Sequence, residues 1–192
     1  LPQLILASSS SYRRGLLERL GLAFEAWAPE VDETAVPAEG PRDTAKRLAR
    51  SKAQAAAARF PGAWIVGSDQ VAEDSGVAIG KPGTAERARA QLRAMAGRTV
   101  RFHTAVCLLA PGGAIAAEDL ISVEVVFRKL TDAEIERYIA REAPLDCAGS
   151  AKVEGLGIAL VERLRGDDPT ALIGLPLIRL SAMLRSAGFE VP

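Results

Sequence analysis

Asp69 stands in the middle of the apolar run WIVGSDQVA, residues 64–72. Trp64, Ile65, Val66, Val71 and Ala72 favour removal from water. A carboxylate carried in with them needs a cation, a metal or a set of hydrogen-bond donors to hold its charge. The rest of the chain offers candidates for that partner. In ASSSSYRR, residues 7–14, Ser8, Ser9 and Ser10 fall where a strand ends and a helix begins, with Arg13 and Arg14 just beyond. Free backbone N–H groups and the positive end of a helix attract an anion there. One serine suffices for an N-cap, so a run of hydroxyls followed by two arginines points further, to an anion site with phosphate as its natural guest.

Lys52 shares a helical arc with Ala45, Leu48, Ala49 and Ala56, whereas Arg47 and Arg50 project elsewhere. A lysine on an apolar stripe either snorkels to water or meets an anion at the end of its reach. Lys81 follows a glycine in AIGKPG, residues 78–83. The spacing from Gly76 is one residue short of a Walker A loop, and Pro82 stands where a Ser or Thr would hold magnesium. That excludes the P-loop and leaves Lys81 as a phosphate contact or a surface turn lysine. GLG at residues 155–157 lacks the third glycine of a dinucleotide fingerprint. Glu30, Asp32 and Glu33 in PEVDET supply carboxylates of the kind that hold Mg²⁺ together with phosphate oxygens. With Asp69 and the cations, they describe a nucleotide–metal site.

These residues must be positioned by a succession of strands and helices. LILA reads as a short buried strand, SSYRRGLLERLG as a helix, FEAWAP as extended, and residues 42–60 as an Ala-rich helix. AWIVGSDQVAE is a strand, with DSGVAIG its turn and return strand. TAERARAQLRAMAG is a helix stopped by Gly97. RTVRFHTAVCLLAPGGAIAAEDLISVEVVFR is a long hairpin turning at residues 111–113. TDAEIERYIARE opens on a capping box from Thr131 to Glu134. GIALVERLRG is expected to be a strand, and PLIRLSAMLRSAG a final amphipathic helix. Strands alternating with helices around one long hairpin give a mixed-sheet α/β domain.

At 192 residues the chain fits one domain. Basic and acidic residues number 24 each, so the molecule makes no long-range field for nucleic acid or an anionic membrane, and any anion site must be local. No apolar stretch approaches the roughly 20 residues that span a bilayer, and the opening LPQLILASSS lacks the pattern of a signal peptide. Cys107 and Cys147 read as small hydrophobes rather than a disulfide framework. His103 is the single histidine, which excludes a His-rich zinc site; it is expected to face solvent or a polar neighbour.

Taken in order, LILASSSSYRR, EVDET, KAQA, VGSDQV, GKP, TAV, CAGSAKVEGLGI and LIGLPL resemble the Maf-like nucleotide pyrophosphatases, in register from Leu4 to about Leu184. The resemblance implies one Maf-like domain over residues 1–192. Its expected fold is a mixed, twisted sheet flanked by helices, in two lobes with a central cleft, related to inosine triphosphatases. It also implies a cytoplasmic enzyme that cleaves nucleoside triphosphates to monophosphate and pyrophosphate with Mg²⁺ or Mn²⁺, and family members suggest a homodimer. Carried over by position, Asp69 matches the family's catalytic carboxylate, which accepts a proton, and it shares the metal with Glu33. Lys52 and Lys81 join them in catalysis, while Ser8, Ser9, Ser10 and Arg13 bind substrate.

Within the family the chain is most similar to the 7-methyl-GTP pyrophosphatases. The base-choosing positions are Tyr12, Gln70 and Glu154, where the dTTP/UTP branch usually has Arg, Thr and Gln. Guanine methylated at N7 is positively charged, which an aromatic face and a carboxylate attract and an arginine repels. Tyr12 replaces a familiar Trp, and Ser11 replaces a Pro that often begins the helix. The rival readings are a dTTP/UTP-type enzyme of the same fold and a nucleotide-binding regulator without catalysis.

Overall fold

Strand β1 (Leu4–Ala7) is apolar and buried along its whole length, and it pairs in parallel with a strand on either side. The chain leaves it through helix α1 (Ser11–Glu18) to β2 (Glu25–Trp27), then through helix α2 (Pro41–Arg59) to β3 (Trp64–Asp74). Side chains alternate across a strand, and the two helices divide along that alternation. Leu16 and Leu17 of α1 pack with Leu4, Leu6 and Val66. Ala45, Ala49, Ala53 and Ala56 of α2 pack with Ile5, Ala7 and Ile65 on the opposite face. In open α/β sheets ligands bind beyond the carboxyl end of a strand whose connections diverge in this way. The computed structural model, which describes residues 2–192, puts the serine loop at that end of β1.

β3 is longer than its parallel neighbour. It turns back through Ser75 and Gly76, both at positive φ as a type I′ hairpin requires, into β4 (Val77–Ile79). Its other edge pairs with β5 (Thr99–Leu109), which forms the long hairpin with β6 (Ile115–Phe127). β7 (Val161–Arg165) closes the order β2-β1-β3-β5-β6-β7, with β4 attached to β3. β1 covers one edge of β3 at residues 64–67 and β4 covers it at residues 72–74. The registers leave residues 68–71 open on that edge, and Asp69 lies in the gap.

Helices α3 (Ala85–Met95) and α4 (Asp132–Glu142) pack on the far half of the long strands, with Phe102, Val125 and Phe127. Helix α5 (Leu177–Ser186) joins α1 on the near half. The mixed sheet flanked by helices is thus the architecture that the alternation of elements predicts. One segment departs from expectation. Instead of a continuous strand from Gly157, the chain forms a short 3₁₀ helix at Leu156–Leu160 before β7. Gly155 and Gly157 both donate to the Lys152 carbonyl, and Leu156 N–H donates to Glu142 Oε2 at 2.7 Å, so the backbone curls on itself first.

Candidate active site

Asp69 has its cation. Lys52 Nζ, on α2, lies 2.6 Å from Asp69 Oδ1 and 2.6 Å from Glu33 Oε1, with the lysine itself only 8 % exposed. The Ala stripe of α2 makes this possible by letting the helix lie against Gly67. A Cβ on that glycine would come 2.2 Å from the Ala49 carbonyl oxygen and 2.8 Å from Ala53 Cβ. Lys52 then spans a short gap to the strand. Such a buried pair is stable only when its hydrogen bonds are made, and among the described residues no buried side-chain N or O lacks a partner.

Glu33 comes from the loop between β2 and α2 and is half exposed. Partial burial works to raise its pKa. The hydrogen bond from Lys52 and the charges of Lys52, Lys81 and Arg13 outweigh this and hold the carboxyl below its ordinary range. The same balance shows that Lys81, exposed in the loop after β4, and Arg13, on α1, bring positive charge to Glu33. For Arg13, burial lowers the pKa while the carboxylates of Asp69 and Glu33 oppose it. Side chains from five separate segments therefore share one field.

The serine loop is built around Arg13. Ser10 caps α1, accepting from Arg13 N–H at 3.3 Å, and Ser8 Oγ accepts from Ser10 N–H at 3.1 Å and from Arg13 Nη1 at 3.4 Å. Arg13 Nε donates to the Gly174 carbonyl at 2.8 Å. Ser9 is exposed in the same loop. Arg14 does not join them: it makes an exposed pair with Glu18 one turn on. Of the acidic loop only Glu33 turns inward. Glu30 is exposed, and Asp32 Oδ1 accepts from Thr34 N–H at 2.9 Å, an Asx turn.

The three base-choice positions are placed differently from one another. Tyr12 is partly exposed on α1, with Lys152 Nζ 5.3 Å from its ring centroid. Glu154 follows Lys152 in the chain. Burial of its carboxyl raises its pKa, its own backbone N–H and Lys152 pull it down, and nearby Glu142 and Asp146 add to the rise. Gln70 lies on the face opposite Asp69, as strand alternation dictates. Its Nε2 is within 3.0 Å of Thr104 Oγ1, the Ala171 carbonyl and the Leu172 carbonyl, which leaves only its Oε1 for a ligand.

Several structural supports were not evident in the sequence. Ser68 Oγ shares its one hydrogen between the Ala105 and Gly174 carbonyls, at 2.8 and 3.0 Å, and Thr104 Oγ1 donates to the Ala171 carbonyl, so the turn at residues 171–174 is sewn to β3 and β5. Buried Asp168 accepts from Thr170 and from Ile178 N–H at the start of α5. His103, expected to face solvent or a polar neighbour, is buried with polar neighbours on both ring nitrogens, Ser122 Oγ and Glu73 Oε2 at 2.7 Å each. Cys107 is buried and Cys147 partly so, and both are free thiols.

A groove of about 360 Å³ lies between α2 and the β5–β6 hairpin, but no predicted site residue lines it. Two of its cations are already bonded, Arg50 to Glu118 within the groove and Arg42 to Ser122. Among the described residues no group of three or more His, Cys, Asp or Glu could hold a metal by itself. Glu33 and Asp69 nevertheless meet across Lys52 Nζ, each committing one carboxylate oxygen to it and keeping the other. Mg²⁺ is held by one or two carboxylates plus substrate phosphates, so this donor set fits a cation that arrives with a triphosphate.

Similarity to known proteins extends along nearly the whole chain. A family model described as Maf-like protein matches residues 3–187. The 7-methyl-GTP pyrophosphatase of Xanthomonas axonopodis pv. citri is 59% identical over 192 residues, covering 100% of both chains. That of Burkholderia pseudomallei (strain K96243) is 59% identical over 194 residues, covering 99% of this chain and 90% of the other. A solved structure of the nucleoside-triphosphatase / dITP/XTP pyrophosphatase from Mycobacterium abscessus aligns over 97% of this chain and 96% of its own, with 17% identity and a TM-score of 0.47.

Proposed function

Since the chain belongs to the Maf-like family, we propose that residues 1–192 form one nucleotide pyrophosphatase domain that cleaves 7-methyl-GTP to 7-methyl-GMP and pyrophosphate. The observation that carries this reading is the meeting of Lys52, Asp69 and Glu33 beside the serine loop. The names of the full-length relatives and the aromatic and acidic identities of Tyr12 and Glu154 support the choice of base.

Arg13, Lys81 and the N–H groups and hydroxyls of Ser8, Ser9 and Ser10 hold the triphosphate, matching its charge where backbone donors and cations already converge. Lys52 fixes Oδ1 of Asp69, so Oδ2 is the oxygen that orients water against the α-phosphorus and takes its proton. The new P–O bond forms in line with the bond to the β-phosphate, which breaks as pyrophosphate leaves. Glu33 and Asp69 would hold Mg²⁺ or Mn²⁺, which supplies charge neutralisation at the phosphates. The nucleotide pool served is cytoplasmic. Among the described residues no helix is long and apolar enough to cross a membrane.

A panel of 7-methyl-GTP, GTP, dTTP and UTP, assayed for pyrophosphate with and without EDTA, tests the reading. The highest kcat/KM for 7-methyl-GTP, lost in EDTA, supports it. A preference for dTTP or UTP moves the chain to the other branch, and nucleotide binding without pyrophosphate makes it a regulator.

A further inference from the structure

Lys152 belongs to none of the phosphate-binding segments, yet its backbone is anchored and its side chain is placed. Its backbone N–H donates to Tyr138 Oη at 3.0 Å, and that hydroxyl donates in turn to the Ser150 carbonyl at 3.0 Å. Ala151 and Val153 on either side of it pack into the far core with α3 and α4. From this anchored stretch the ammonium reaches Glu142 Oε1 at 3.1 Å, at the end of α4. It also lies 5.3 Å from the ring centroid of Tyr12, a residue of α1 in the near half of the molecule. Glu142 cannot follow the lysine, because its Oε2 accepts from Leu156 N–H at 2.7 Å. Lys152 lowers and Glu142 and Asp146 raise the pKa of the Glu154 carboxyl, which places all four in one neighbourhood.

We propose that Lys152 is a specificity-determining residue, a resident cation on the aromatic face of Tyr12 whose place a positively charged purine takes. This rests on the reading that Tyr12 and Glu154 receive the base. When a base stacks on Tyr12 the ammonium swings off the ring and keeps its bond to Glu142. A neutral guanine then replaces a cation–π contact with plain stacking, whereas a 7-methylguanine restores the positive charge over the ring and beside Glu154. The withdrawn ammonium remains close enough to repel that charge, so the strength of its hold on Glu142 sets how sharply methylated and plain bases are told apart.

Two variants move the discrimination in opposite directions. Lys152→Met removes the repelling cation, and the ratio of 7-methyl-GMP to GMP affinity, measured calorimetrically on the product nucleotides, rises about two- to fivefold, the size of an exposed cation–π contact. Glu142→Gln keeps the acceptor for Leu156 but releases the ammonium onto Tyr12 and Glu154, and the ratio falls by a similar factor. Lys152→Arg keeps it near the parent value. A purely structural role would shift both nucleotides together and leave the ratios alone. Unchanged ratios in the first two variants, or a fall with Lys152→Met, overturn the proposal while leaving the proposed reaction standing. A parent protein that binds 7-methyl-GMP no better than GMP overturns the proposed base choice, and this inference with it.

Discussion

Lys52 and Asp69 are 17 residues apart in sequence, and their charged atoms meet at 2.6 Å with both side chains nearly excluded from water. A buried pair of this kind gains little over an apolar pair of equal volume, but removing one member leaves the other charge uncompensated. Lys52→Met is therefore expected to lower stability by roughly 3–5 kcal/mol. The double variant Lys52→Met/Asp69→Leu recovers most of that loss, and neither variant turns over substrate. Urea unfolding of the two variants beside the parent checks this; a single variant as stable as the parent would deny the pair its structural weight.

Gly67 sets the distance between α2 and β3. Gly67→Ala forces its Cβ into the Ala49 carbonyl oxygen, a backbone atom that moves only with the helix. Overpacking of this sort destabilises by about 1–3 kcal/mol, and here it also lifts Lys52 away from Asp69. Thermal melts and kcat should fall together, whereas unchanged kcat at reduced stability would separate helix spacing from catalysis.

Helix α4, which ends on Glu142, begins with a capping box whose Glu134 carboxylate accepts from Thr131 N–H and from Arg128. The Thr131 N–H first, then Arg128, pull its pKa from the ordinary 4.5 down to about 2. A depressed carboxylate contributes stability that is present in full above 4.5 and disappears as pH falls from there toward 2. Glu134→Gln should flatten the decline of urea midpoints over that window, and a decline as steep as the parent's would assign the acid sensitivity to other groups.

How much of this could be read beforehand follows from the kind of force involved. Burial of Asp69 and Lys52 was legible because each interrupts an apolar pattern of definite period, two for the strand and 3.6 for the helix. The Thr131 box and the hairpin turn are local chemistry and were legible for the same reason. Periodicity could not tell which acid of PEVDET turns inward, and only the resemblance singled out Glu33, because Asp32 commits its side chain to Thr34 in a short-range hydrogen bond with no periodic signature. Asp168 was invisible as a cap because it bonds Ile178 from ten residues away, across a turn held by Ser68, Thr104 and Gln70. Alternation alone set Gln70 on the face opposite Asp69. The resemblance that grouped them as neighbours in function carried no information about that face.

If chemistry occurs at Asp69, the Asp69→Asn variant reports it through its rate of pyrophosphate release from 7-methyl-GTP. Asparagine keeps the shape and an acceptor for Lys52 but cannot take up a proton. With circular dichroism matching the parent, the rate should drop by a factor of about a hundred or more. A folded variant that releases pyrophosphate at close to the parent rate would contradict the account.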